Sequence, residues 1–285
     1  VILETYRGDA GNGLALHPDG DRFVSAGGNV ISVWSRRQGE RLGRIGTDLA
    51  GGIYRLAIMG EHVFAGCLSD GDEYDGRVLE LDLASGEVIT AYQPELDAPT
   101  GYFVVSADHV VSAGSESLHL WDIGSARPRW SLKGQYSIAG LHGDTVVAWT
   151  PGVMEVRTAA DGAPIRSFEV DAEDFGYVTP VFLADGRSLW TFESDSFAVI
   201  DHEAGAVLRW SPEHDGEITS ISVSADESRI LTSSQDGTFR VWDASTFEYT
   251  EVRVGDIAWS ARFVDGDQHV LVATSEDRLE VRSLP

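Results

Sequence analysis

The stretch ILTSSQDGTFRVWDAS, residues 230–245, is suited to fold back on itself. Two β-branched runs, Ile230–Ser233 and Thr238–Trp242, flank Gln235-Asp236-Gly237. Asp-Gly between such runs favours a tight hairpin, because Gly accepts the positive φ that the turn requires. An isolated hairpin is marginal in water, so the chain must supply neighbours for it. It does so by repetition. The position that ends the second run recurs as Trp34, Leu81, Trp121, Val156, Ile200, Trp242 and Val281. The spacing averages about 41 residues, the length of a repeating unit of four short strands. Trp-Asp stands complete at Trp121-Asp122 and Trp242-Asp243 and half kept at Trp34-Ser35, Leu81-Asp82 and Ile200-Asp201. It is lost at Val156-Arg157 and Val281-Arg282.

Two further columns of turns share the period. Upstream of each marker stand HPDGDR, MGEHV, SADHV, HGDTV, LADGRS, SADESR and VDGDQH; downstream of six of them stand RRQGER, LASGEV, GSARP, ADGAP, EAGAV and STFEY. Each unit therefore reads as four strands joined by three turns. The stretches between turns are too short, and too rich in Val, Ile, Thr and Phe, for helices. The reading is all-β: a seven-bladed β-propeller of four-stranded antiparallel blades, in one domain over residues 1–285. Its blades fall near 10–49, 50–97, 98–134, 135–172, 173–212, 213–253 and 254–285. The seventh unit has only three strands, and VILETYRGD at the N-terminus reads as the missing one. Pairing of Val1–Tyr6 with Leu279–Ser283 is expected to close the ring and to leave only short outer edges.

HDGEITSISVSADESRILTSSQDGTFRVWD, residues 214–243, resembles a repeat of the tryptophan-aspartate (WD) family of β-propellers. The resemblance covers the whole chain by period and the sixth unit by full motif; Gly8-Asp9 and Gly255-Asp256 stand where a Gly-His pair would be expected. It implies a structural tetrad at His214, Thr232, Asp236 and Trp242, in which Asp236 accepts from His214, His214 meets the Thr232 hydroxyl, and that hydroxyl meets the indole N–H. It also implies that each blade's first strand lines a central channel. The loops leading into those strands, with the loops between the two middle strands, would form a binding face. The Trp-Asp-x-Arg of cullin-ligase receptors in this family is missing, since Ile123-Gly124 and Ala244-Ser245 follow the two dipeptides.

Charge is the extreme feature of the composition. Asp plus Glu number 46 against 21 Lys plus Arg, a formal net charge of −25, and Lys133 is the one lysine. Such a surface repels phosphate backbones and anionic lipid, so neither nucleic acid nor membrane is expected as a partner. Two readings of the acidity stand side by side: general adaptation to salt or to a genome rich in G and C, and a face that recruits a basic protein or peptide. Cys67 is the single cysteine, which excludes an internal disulfide and a multi-cysteine metal site. A reduced, cytoplasmic setting is expected. No apolar run is long enough to span a membrane as a helix, and no charged-then-apolar leader opens the chain. A start at Val1 rather than Met reads as a domain cut from a longer protein, and a monomeric domain is expected.

Catalytic motifs are not found, and no cofactor is expected. HEAGA at 202–206 begins like a zinc-protease HExxH but lacks the second His and sits in a turn. There is no Gly-x-Ser-x-Gly elbow and no phosphate-cradling Gly-Lys-Ser/Thr loop. The second unit carries an insertion, about Leu68–Glu73, that gathers Asp70, Asp72, Glu73 and Asp75. Clustered carboxylates suit Ca²⁺, although Tyr74 and Leu81 fall where an EF-hand needs ligands. A solvated acidic loop, a partner-contact loop and a calcium loop are the three readings of it.

Five of the seven repeats place an aromatic at or near the start of the first strand: Tyr54, Tyr102, Tyr136, Tyr177 and Trp259. Aromatics of this kind are enriched at interface hot spots, although each could instead pack beneath its own loop. Asp97, Asp174, Glu217 and Asp256 lie on the same connections and favour a cationic partner. The expected function is a non-catalytic protein-interaction platform that holds a basic protein or peptide on this face. An enzyme with a carboxylate site in the channel is the alternative. A scaffold binding along its outer strands is a third reading, and it requires exposed apolar side chains there, with Trp130 and Trp210 as the residues to inspect.

Overall fold

The computed structural model describes residues 2–8, 13–49, 52–66, 76–93, 102–114, 116–172, 178–192 and 194–284. They form seven antiparallel sheets of four strands, and no helix occurs among them. In the sixth blade the order is Ile218–Val223, Arg229–Ser234, Thr238–Asp243, Tyr249–Arg253, each strand paired with the next in sequence. Blades one to five repeat that order. The seventh does not. It runs Ala258–Val264, His269–Thr274, Arg278–Ser283, and its outer strand is Ile2–Arg7 from the other end of the chain. Tyr6 lies opposite Leu279 and Arg7 opposite Arg278, and the Gly8 amide adds a hydrogen bond to the Asp277 carbonyl at 2.9 Å. Arg36 of the first blade reinforces the seam with a two-pronged contact to Asp265 at 2.7 and 2.8 Å. The closure expected from the sequence is therefore present.

Blade-on-blade packing follows from the apolar runs. The second strands, such as Phe23–Ala26 or Val110–Gly114, are buried on both faces. Each sheet can then bury one face against the blade before it and one against the blade after it. Seven apolar clusters result, one at each interface between neighbouring blades, including the seam where Tyr6, Trp34 and Leu279 meet. The first strand of each blade touches the first strand of the next, round to blade one again. That ring of first strands encloses the channel.

Register corrects two of the seven repeat markers. Ile230 faces Trp242 and Arg229 faces Asp243 in blade six. The same positions in blades four and seven belong to Arg157 and Arg282, not to Val156 and Val281. The sequence reading chose the neighbouring valines because they are apolar, and both are buried. A slip of one residue along a strand moves the side chain to the opposite face. At the true position each arginine is held by the glutamate two residues earlier: Arg157 by Glu155 at 2.8 Å and Arg282 by Glu280 at 2.9 Å.

Candidate functional site at the channel mouth

The channel encloses about 250 Å³, and six of the seven blades contribute to its wall. Two features of that wall were not expected from the sequence. It includes Arg55, the first residue of blade two's inner strand, and Arg262, near the end of blade seven's. No Asp, Glu or His is among its described lining residues. Both guanidiniums are deep in the ring while part of each side chain stays accessible. Burial lowers the pKa of both, and the charge of Arg55 lowers Arg262 further, to about 10. Arg262 Nη1 donates to the Ala261 carbonyl at 2.8 Å, and Arg55 lies over the Tyr102 ring, 4.4 Å from its centroid.

A β-bulge precedes Arg262 in its strand, and a second one shapes the wall in blade six. Register shifts between Ala258 and Ser260 in blade seven, and between Ile218 and Ser220 in blade six. A bulge adds one residue and re-aims its neighbours. Thr219 and Ser220, at and after one bulge, and Ser260 and Arg262, after the other, all reach the channel wall. The Ser260 hydroxyl is buried there without a hydrogen-bond partner.

The five predicted aromatics separate into groups. Tyr54 lines the channel and is half-buried, and Tyr102 stacks on Arg55; the fold brings these two to one place. Trp259, also half-buried, packs against the cluster at the seam between blades seven and one. Tyr136 is buried in the apolar cluster between blades three and four, so its ring is core and not rim. Burial raises its pKa, and the nearby Glu155 adds to that. Tyr177 lies outside the described residues, as do Asp97, Asp174 and the acidic insertion with Asp70, Asp72, Glu73 and Asp75. Glu217 and Asp256 are exposed on the connections expected for them. Among the described residues no group of three or more His, Cys, Asp or Glu could hold a metal ion.

The sixth blade decides the family. His214 Nδ1 donates to Asp236 at 2.9 Å, its Nε2 meets Thr232 Oγ1 at 2.8 Å, and the Trp242 indole donates to that same oxygen at 2.9 Å. Burial opposes ionisation of Asp236, but hydrogen bonds from Thr238 and His214 outweigh it and hold the carboxyl below its ordinary value. Gly237 completes the turn at φ +82°, where a Cβ would collide with the Gly255 carbonyl oxygen. The family described as "WD domain, G-beta repeat" matches residues 2–35 and 206–243. The chain is a WD-repeat β-propeller. Both matched windows begin on an outer strand and end on the third strand of the following blade. The sequence repeat of this WD-repeat propeller is thus one strand out of phase with its structural blade, which is why its first strand must be lent to its last sheet.

Among curated proteins, one similar to this propeller is "Autophagy-related protein 16" of Arabidopsis thaliana. It is 27% identical over 151 residues, covering 49% of this chain and 28% of the relative. The chain thus matches under a third of that relative's length.

Proposed function

We propose that this WD-repeat propeller is a non-catalytic protein-interaction platform that takes a protein segment across the mouth of its channel. The observation that carries this reading is that Tyr54 lines the open cavity while Tyr102, half-buried next to that wall, lies under Arg55. Rings held in this way lose little freedom on binding and bring large apolar area with polar tips. Basic residues of the partner would meet the acidic outer connections at Glu217 and Asp256 rather than the centre, where Arg55 and Arg262 stand. The carboxylate cluster that the enzymatic alternative requires is absent from the described channel wall. The likeness to a protein named for autophagy supports the architecture of the proposal and not the process.

The test is affinity capture with the wild type and with the combined variant Tyr54→Ala, Tyr102→Ala, Trp259→Ala. Circular dichroism should show the fold unchanged, while captured partners are lost. Capture that survives in a folded triple variant would refute docking at this face.

A specific observation favours a second reading. Every large apolar side chain that is exposed among the described residues lies on an outermost strand, among them Leu3, Val88, Ile165, Leu208 and Trp210. Trp210 is 41% exposed, with its ring edge against Phe192. Trp130, by contrast, is tied down by a 2.9 Å bond from its indole to the Ala159 carbonyl. Outer strands with free edges and apolar side chains accept added strands from partners. Capture lost with Leu208→Glu, Trp210→Glu but kept in the triple variant would favour this edge.

A further inference from the structure

We propose that the central channel binds a small oxyanion, a molecule bearing phosphate or carboxylate groups, between Arg55 and Arg262 with the Ser260 hydroxyl as a third donor. This goes beyond docking at the mouth and does not depend on it. The first argument is a contrast among the arginines. Arg36, Arg157, Arg240 and Arg282 are each mostly buried and each faces a carboxylate: Asp265, Glu155, Glu251 and Glu280 respectively. Arg262 does not; no carboxylate lies within ion-pair distance of it among the described residues, and its Nη1 is answered by a backbone carbonyl. In a chain with 46 acidic residues, pairing it would have been easy. Placing it instead in one cavity with a second arginine works against stability, because buried like charges repel and each loses its hydration. The depression of Arg262 to about 10 reports that cost.

The second argument is the donor set. A guanidinium is planar and offers paired N–H groups that match the oxygens of carboxylate and phosphate. Ser260 Oγ is buried in the same wall with no partner, and a buried hydroxyl ordinarily has one. A cavity of about 250 Å³ is smaller than the ~300–1,000 Å³ pockets that hold drug-sized ligands, which fits a compact anion. Such an anion would be bound where it meets both guanidiniums, and it would find no carboxylate to repel it on the described wall.

The experiment is thermal denaturation and calorimetric titration of the wild type with sodium pyrophosphate and, separately, with sodium citrate. At least one should bind with unit stoichiometry and raise the melting temperature; which of them does so distinguishes a phosphate ligand from a carboxylate one. Arg262→Met should weaken that binding roughly tenfold or more, the scale of a lost charge-assisted pair. Its melting temperature without anion should be no lower than that of the wild type. Arg127→Met, an exposed arginine elsewhere, should bind as the wild type does. Absence of binding by both anions, or undiminished binding by Arg262→Met, would overturn the proposal. Should that variant fail to fold, amide chemical shifts in the wild type decide. Anion-dependent shifts at Arg55, Ser260 and Arg262 support the site, and their absence there refutes it.

Discussion

Blades six and three both end their third strand in Trp-Asp, and both indoles are fully buried, yet the two blades are held together differently. In blade six Trp242 donates to Thr232, which sits beneath His214 and Asp236 in one connected chain. In blade three the corresponding hydroxyl is Ser112, and neither it nor the Trp121 indole N–H has a hydrogen-bond partner. Trp121 is held by rings instead: Tyr92 edge-on at 6.0 Å and His119 at 5.1 Å. The dipeptide alone therefore specifies a buried tryptophan and no more; a bulge precedes Trp121 but not Trp242. The polar network needs two more residues, a histidine ahead of the first strand and an aspartate in the turn, which only the sixth unit carries in full. Buried polar networks are valuable when every member is satisfied.

That comparison can be broken at several points. Packing should be the shared term: Trp242→Ala and Trp121→Ala are each expected to lose about 3–5 kcal/mol, the usual range for removing a buried large side chain. A wide gap between the two in urea denaturation would mean that one blade does not fold with the rest. The next effect should separate the blades. Thr232→Val strands a buried imidazole nitrogen and an indole N–H, at about 2–4 kcal/mol. Ser112→Ala removes a hydroxyl that has no partner and should stay within about 0.5 kcal/mol. Equal losses would show that blade three has a network of its own.

A further effect concerns acid. His119 lies between the Ser131 and Ser117 hydroxyls, and burial pushes its pKa down to about 4. Folded protein then refuses a proton that the unfolded chain accepts near 6.5. The associated stability is complete above 6.5 and is lost as pH falls from there towards 4. By pH 5.5 this amounts to about 1 kcal/mol. His119→Asn should flatten that part of the melting profile. His214 is also depressed by burial, but Asp236 acts against the shift. His214→Asn should therefore flatten the same pH range less than His119→Asn does. The reverse order would mean that Asp236 does not offset burial.

Much of the fold was legible before any coordinates. Period, turn residues and strand composition are local properties, and they gave seven units and the closing strand; the tetrad followed from the resemblance of the sixth unit to a WD repeat. The two marker slips, at Val156 and Val281, arose where a valine and an arginine stand side by side. Apolar character points to the valine, and only cross-strand register reveals that the arginine occupies the equivalent position. The candidate site was legible in part. Tyr54 and Tyr102 come together, but Tyr136, chosen by the same rule, is core. Strand position alone does not say which way a ring turns when a neighbouring blade offers it an apolar cavity. Arg55 and Arg262 lie more than 200 residues apart in the chain, so no local motif could have paired them.

The sequence by itself determined the number of sheets and the need to borrow a strand, since both follow from counting strands between turns and from the cost of leaving an edge unpaired. Only the tertiary structure decided what faces the axis. Seven first strands meet there from distant parts of the chain, and the bulges in blades six and seven set which side chains point inward. Pleat and bulge act through space between strands, and that is why an acidic chain can carry two arginines at its centre without any stretch of its sequence announcing them.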